Sequence, residues 1–356
     1  MKTTLRAALA AAAIAVAGVA TPALAQNQPD PLPDWALEGD LSNFPPPTDV
    51  AQPQEDFDTL TPRGMWIEYV TEGFYIVRGP LYVCTPGGFC SDTWGDDGII
   101  HEPGVVAVRV TPEGVIIADS KFDFHVEELV RLIGTVTDQP IRYAVATHAH
   151  GDHNGGLSEL MKLGVEVVVQ DDFRTAYARD TADEGEPIPR ITYGDHGSIT
   201  LGGVRVEMIH LPMSHTASDS VIFFPDLKII HGGDVMLEAM PHIDYPRGGS
   251  AIGWADAVYE MLKLDFETVV SGHGRLLTRE EVVQYGENVH EMNDRMEEIV
   301  REGIPVDEAY DALGLESWGW ELTGSTSTFK LDVPAYYEEM AAIIEATDAI
   351  AEQRSE

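Results

Sequence analysis

The sequence predicts an α/β sandwich of layers, with two β-rich halves and helices outside. Three observations carry this. Short runs rich in Val, Ile, Tyr and Phe recur from residue 63 onward, punctuated by Gly and Pro. Stretches with helical apolar spacing fall between them. The alternation also appears twice along the 356 residues, with no short-period repeat.

In the first half, 65–71, 74–78 and 104–110 read as strands. GVIIAD (114–119) is a buried-strand pattern ending in an acid, and FHVEELVRLIG (124–134) has helical periodicity. IRYAVAT (141–147) is a buried strand leading into a histidine-rich loop. Residues 156–163 read as helix and 165–170 as strand. The polar, turn-rich segment 171–190 is either a flap or a solvated excursion. In the second half, 198–212 reads as a hairpin and 221–234 as strand, turn, strand. A helix follows at 253–264, then a strand at 266–274 running into a glycine loop. The tail is helical and acidic over 278–301 and 334–353.

Hydrophobic residues at 44% and charged residues at 23% exclude disorder throughout. Twenty-two Lys and Arg face 60 Asp and Glu, a formal charge of -38. Such a chain repels phosphate backbones and anionic lipid, so nucleic-acid and membrane-surface partners are not expected. A small molecule is the expected partner, and the oligomeric state stays open. The first 25 residues, with Lys2, Arg6, a small apolar run and an A-x-A site at Ala23–Ala25, read as a secretory signal peptide. The run is short for a membrane span, though an anchor helix is the alternative. Export to the periplasm or outside is therefore expected. Residues 26–62 are a Pro-rich acidic leader, 63–285 the main domain and 286–356 a C-terminal helical extension. Cys84 and Cys90 flank a Pro-Gly-Gly turn in which a local disulfide and a pair of thiols are both open readings.

The chemistry gathers at strand ends. His148, His150, Asp152 and His153 crowd into six residues after a buried strand. His148 and His150, two apart on an extended segment, face the same way and can pinch one cation. Asp152 and His153 follow Gly151, where the chain can turn toward a second cation. Imidazole with carboxylate suits zinc or another borderline divalent ion. His215, Asp234 and His273 each follow a later strand and complete two ligand sets.

With HxHxDH at 148–153, SHT at 214–216, GGD at 232–234 and GHG at 272–274, the chain resembles the metallo-β-lactamase-fold superfamily over roughly residues 64–285. The resemblance implies a four-layer αββα sandwich, here with an added C-terminal helical segment. It implies a first metal on His148, His150 and His215 and a second on Asp152, His153 and His273, with Asp234 bridging. The pattern is similar to subclass B3 β-lactamases, glyoxalase II and zinc lactonases. The B3 enzymes generally lack the bridging carboxylate that the other two have, whereas an exported protein meets β-lactams and not cytosolic thioesters.

Two divalent cations bring bound water to a pKa near 7, so hydroxide is available to attack a carbonyl carbon. Asp152 would orient it as the catalytic carboxylate. The leading reading is an exported dinuclear zinc hydrolase of an acyl C–N, C–O or C–S bond, with a β-lactam or other cyclic amide or ester first. The alternatives are a mononuclear iron persulfide dioxygenase-like enzyme and a non-catalytic periplasmic metal-binding protein.

Other residues carry less. Arg247 reads as a surface ion pair or a clamp for a substrate carboxylate. His242 and Tyr245 line a pocket or pack. His210 and His231 read as core histidines or as supports behind a ligand, and Asp119 as a partner of a ligand histidine. His101, His196 and His290 are assigned no role.

Overall fold

A computed structural model describes the backbone of residues 48–49, 64–80, 82–84, 90–91, 99–181, 185–237, 240–315 and 325–355. The expected signal peptide and nearly all of the expected leader lie outside the described residues.

The chain begins with β1 (Thr48–Asp49), β2 (Trp66–Thr71), β3 (Phe74–Arg78), β4 (Tyr82–Cys84), β5 (Cys90–Ser91) and β6 (Ile99–His101). Then come β7 (Val106–Thr111), β8 (Gly114–Ala118), α1 (Val126–Ile133), β9 (Ile141–Val145), α2 (Gly151–Asn154) and α3 (Leu157–Lys162). Next are β10 (Glu166–Gln170), α4 (Asp171–Thr181), β11 (Ile191–Tyr193), β12 (His196–Leu201), β13 (Val204–His210) and β14 (Ser220–Phe224). The last are β15 (Ile229–His231), α5 (Ala251–Leu262), β16 (Thr268–Val270), β17 (Leu276–Thr278), α6 (Arg279–Glu302), α7 (Ala309–Leu313) and α8 (Ser325–Ser355).

One sheet runs β1-β2-β3-β7-β8-β9-β10-β11 and a second runs β12-β13-β14-β15-β16-β17. Period-two alternation divides each strand between two cores. Ile76, Ile116, Val145 and Val168 of the first sheet point inward and meet Ile222, Phe224, Ile229 and Val270 of the second. Their neighbours Val77, Ile117, Ala144 and Val169 point outward against Leu129, Leu132 and Leu160 of α1 and α3. On the other side Val221, Phe223, Ile230 and Val269 pack against Trp254, Val258, Met292 and Tyr336 of α5, α6 and α8. The result is the αββα sandwich. Strands covered on both faces read as unbroken apolar runs, which is why all five residues of β8 are buried.

The small sheet β5-β4-β6 was not foreseen. It sets Cys84 opposite Cys90 in backbone register, while their side chains lie outside the described residues.

Strands β8, β9, β10 and β11 pair in parallel, as do β15 and β16. Ligands commonly bind beyond the carboxyl ends of parallel strands, where connecting loops gather. Here the loops after β8, β9, β15 and β16 meet at one edge. There Val105 N donates to Gly272 O at 2.8 Å and joins the two sheets.

Two segments differ from expectation. Much of 171–190 is the helix α4, not a loop. Gln170 accepts from the amides of Asp172 and Phe173, capping its first turn. Phe173 and Tyr177, four apart, bury one face. The final helix passes through Pro334 and starts well before it. Burial of Phe329, Val333, Tyr336 and Met340 outweighs the hydrogen bond that proline removes.

Candidate metal centre

The structure brings all seven candidate side chains together in two adjoining groups. One comprises His148, His150, His215 and Asp234, the other Asp152, His153 and His273. Within each group the potential ligand atoms lie within 4.8 Å of one another.

Local folding explains the convergence. His150 is extended and immediately precedes the single turn of α2, which swings Asp152 and His153 to the same side. Asp234 sits in a 3-10 turn after β15. Gly272 lies where a Cβ would fall inside the contact radius of Asp234 Oδ1. A Cβ on Gly104 would come within 2.5 Å of the His153 ring. Both glycines are there because the backbone passes too close to the centre for a side chain.

The five histidines share one arrangement. Each commits one ring nitrogen to an oxygen behind it and turns the other inward. His153 Nδ1 donates to Asp119 Oδ2 at 2.7 Å, and His150 Nε2 donates to Asp244 Oδ2 at 2.7 Å. His215 Nδ1 donates to the His242 carbonyl and His273 Nδ1 to the Glu102 carbonyl. Thr147 Oγ1 donates to Asp119 Oδ2 at 2.9 Å, so it accepts from His148 Nδ1 at 3.0 Å. These tautomers follow from the hydrogen-bond network. Donation through one nitrogen leaves the other as an inward lone pair. His215 Nε2 then lies 2.7 Å from His150 Nδ1, and His153 Nε2 lies 3.3 Å from His273 Nε2. Facing lone pairs repel unless a cation or proton lies between them. His148 Nε2 is buried without a hydrogen-bond partner. This donor set fits borderline divalent cations.

Asp234 reaches both groups. Its Oδ2 lies 3.8 Å from His148 Nε2, 3.5 Å from His215 Nε2 and 3.2 Å from His273 Nε2. Its Oδ1 lies 3.1 Å from His153 Nε2. Asp152 Oδ2 is 3.4 Å from His273 Nε2 and 3.7 Å from His153 Nε2, on the more open side.

The electrostatics divide the histidines. Burial pushes His215 down to about 3 and lowers His148 well below its ordinary value, keeping both imidazoles neutral. Burial also opposes charge on His273 and His153. There the carboxylates of Asp234 and Asp152 prevail, raising His273 to about 9 and His153 well above its usual range. Burial would raise Asp234, yet His273, His153 and His148 hold it well below the ordinary carboxylate range.

The lesser candidates also have places. Asp119 binds His153 and both the amide and hydroxyl of Thr147. His231 is buried, donates to Val105 O at 2.8 Å and accepts from Gly233 N, which fixes the turn before Asp234. His210 contacts the Asp219 carbonyl. Arg247 pairs with Asp180 and Asp244 in a surface cluster. His242 stands at the rim with its ring centroid 5.4 Å from that of His215, and Tyr245 donates to Glu339. His196 and His290 are exposed and face Glu207 and Asp294. The side chain of His101 lies outside the described residues.

Three supports escaped the sequence reading. Asp244 holds His150. Asp219, raised to about 6 by burial, accepts from Ser214 and Thr216 and shapes the loop of His215. Lys121, wholly buried, donates to the Pro103 and Gly104 carbonyls and anchors the segment lying over His153.

The sequence profile of the metallo-beta-lactamase superfamily matches residues 132–273. A metallo-beta-lactamase type 2 from Bacillus sp. (strain 170) is 25% identical over 176 residues, 47% of this chain and 65% of that protein. The chain thus spans just under two thirds of that relative's length. The solved metallo-beta-lactamase from Pontibacter korlensis superposes with a TM-score of 0.52 at 20% identity, covering 64% of this chain and 99% of its own. The sec-alkyl sulfatase PisA1, as a double mutant, superposes with a TM-score of 0.59 at 16% identity, over 77% of this chain and 50% of its own. At these identities the structural likeness is one of fold.

Proposed function

The chain belongs to the metallo-β-lactamase-fold superfamily, and from that premise we propose an exported, dinuclear zinc hydrolase that opens an acyl bond of a small substrate. The observation that carries the reading is the pair of adjoining ligand groups with Asp234 reaching into both. His148, His150 and His215 would hold one ion and Asp152, His153 and His273 the other, with Asp234 placed to serve both. When bound, zinc supplies an activated water near neutral pH and a Lewis acid for the scissile carbonyl.

The chain's own residues do the rest. Asp152, on the more open side, orients the attacking water, takes its proton and passes it toward the leaving atom. Asp119, Asp244 and the carbonyls of His242 and Glu102 keep the imidazoles in the tautomer that binds a cation. The bond broken is C–N, C–O or C–S, and the acyl product leaves as a carboxylate. A β-lactam or other cyclic amide or ester ranks first. The metallo-beta-lactamase relatives and the export signal expected in residues 1–25 favour it. Among the described residues no helix is long and apolar enough to cross a membrane.

The test is metal analysis of the purified chain, followed by turnover of chromogenic cephalosporins, lactones and thioesters with and without chelator. Two zinc ions per chain and chelator-sensitive hydrolysis are expected. A zinc-replete chain that turns over none of the panel retires the hydrolase reading. One iron per chain points instead to persulfide-dioxygenase-like oxidation.

A further inference from the structure

The helix α8 lies beyond the segment matched by the family profile, which ends at residue 273. One face of it, with Phe329, Val333, Tyr336 and Met340, is buried in the outer core. Two carboxylates, Asp332 and Glu339, stand seven residues apart and therefore on one side of the helix, two turns from each other. Both reach the segment 242–251. Asp332 Oδ2 accepts from Ile243 N at 3.1 Å and from His242 Nδ1 at 3.3 Å. Glu339 accepts from the Tyr245 hydroxyl at 2.8 Å, from Ala251 N at 3.1 Å and from the Ser250 hydroxyl. The helix thus grips both ends of one short segment.

That segment carries the oxygens behind two of the five histidines. Asp244 Oδ2 accepts from His150 Nε2 at 2.7 Å, and the His242 carbonyl accepts from His215 Nδ1. Asp244 N also donates to the His215 carbonyl at 2.9 Å, and Ser250 N to the Ser214 carbonyl at 2.8 Å. Every link from α8 to the inward nitrogens of His150 and His215 is therefore a hydrogen bond, with one loop between them.

We propose that α8 positions the first metal site: Asp332 and Glu339 hold segment 242–251 in the place from which it aims His150 and His215 at the cation. This rests on the reading of those histidines as metal ligands. Asp332 and Glu339 are positioning residues and touch neither metal nor substrate. A helix that merely covered the core would bury its apolar face equally well without either carboxylate.

The test uses the full chain, Asp332→Asn, Glu339→Gln and the double variant. Zinc affinity is read by chelator competition and ligand geometry by the electronic spectrum of the cobalt-substituted chain. In the double variant the equivalent held by His148, His150 and His215 should bind about 10-fold less tightly, the low end for partners behind metal ligands. The cobalt bands of that site should shift while the other equivalent is unchanged. The single variants should show smaller weakening, and they carry the test if the double variant does not fold. A loss of thermal stability alone, with wild-type affinity and spectrum for both equivalents, overturns the proposal and leaves the ligand reading standing. A wild-type chain that takes up no metal removes both.

Discussion

Asp119 and His153 form a buried pair, with the carboxylate Oδ2 2.7 Å from the imidazole Nδ1 and neither side chain reaching solvent. Asp119 stands directly after β8 at φ 68, a left-handed conformation that Asp tolerates better than most residues. Its other oxygen accepts from Thr147 N at 2.8 Å, just beyond β9. One carboxylate thus ties two parallel strand ends together and sets the tautomer of a histidine in the centre. Asp119→Asn removes the charged acceptor behind His153 while keeping the size of the side chain. It should weaken binding at the Asp152–His153–His273 group about 10- to 100-fold, measured by chelator competition. Wild-type affinity in that variant would mean that His153 is aimed by something else.

Gly272 offers a steric test of the same centre. An added Cβ collides with Asp234 Oδ1 and comes within 2.6 Å of the Gly233 carbonyl carbon, which is backbone and yields little. Gly272→Ala should displace Asp234 and destabilise the fold by about 1–3 kcal/mol, as overpacking does. Loss of at least one metal equivalent, by elemental analysis, should accompany the lower melting temperature. If metal content survives, Asp234 moves without consequence for binding.

The sandwich and the meeting of the seven side chains were legible because their signals are local. Apolar runs mark β8, β9 and β14, and His148, Asp234 and His273 each follow a strand within a few residues. What escaped is set by packing at long range. Asp332 meets His242 across 90 positions, and no spacing near either residue announces it. Lys121 looks like a polar loop residue until the Pro103 and Gly104 carbonyls close over it. The helix α4 was hidden by its polar composition, since only Phe173 and Tyr177 mark a buried face.

Acid stability should depend on a charge pair behind the centre. Glu102 accepts from Arg78 Nη2 at 2.8 Å, Arg78 Nε at 3.2 Å and Gly79 N at 2.6 Å. Burial opposes its ionisation, yet Arg78 more than compensates and holds the carboxyl at about 2, below the ordinary 4.5. A lowered folded value contributes stability above pH 4.5 that is lost as pH falls toward 2. The shift corresponds to about 3 kcal/mol. Glu102→Gln should remove this acid-sensitive part and strand Arg78, costing about 3–5 kcal/mol at neutral pH. Urea melts of both proteins between pH 2 and 7 check it. Parallel stability curves would show that Glu102 does not titrate with folding.

Metal uptake should release protons, because part of the centre holds them when metal-free. At pH 7 His273, raised to about 9, and His153, raised well above its usual value, are protonated beside Asp234 and Asp152. His148 and His215 are neutral there and release nothing. A cation must displace the protons on His153 and His273, so its affinity should rise with pH until both are gone. The stability linkage runs the other way. Folded values above the unfolded 6.5 contribute stability that is complete below pH 6.5; the His273 part is lost as pH rises through about 9, and the His153 part as pH passes its own raised value. Raising the pH should therefore weaken the metal-free fold while strengthening zinc binding. Calorimetric titration of the metal-free chain with zinc, in two buffers of different ionisation enthalpy, counts the protons. About two per chain are expected from the histidines at pH 7, besides the proton of any water the cations ionise, and the histidine share should fall by pH 9.5. No release at pH 7 would place the protons elsewhere and leave Asp234 and Asp152 unneutralised by these histidines.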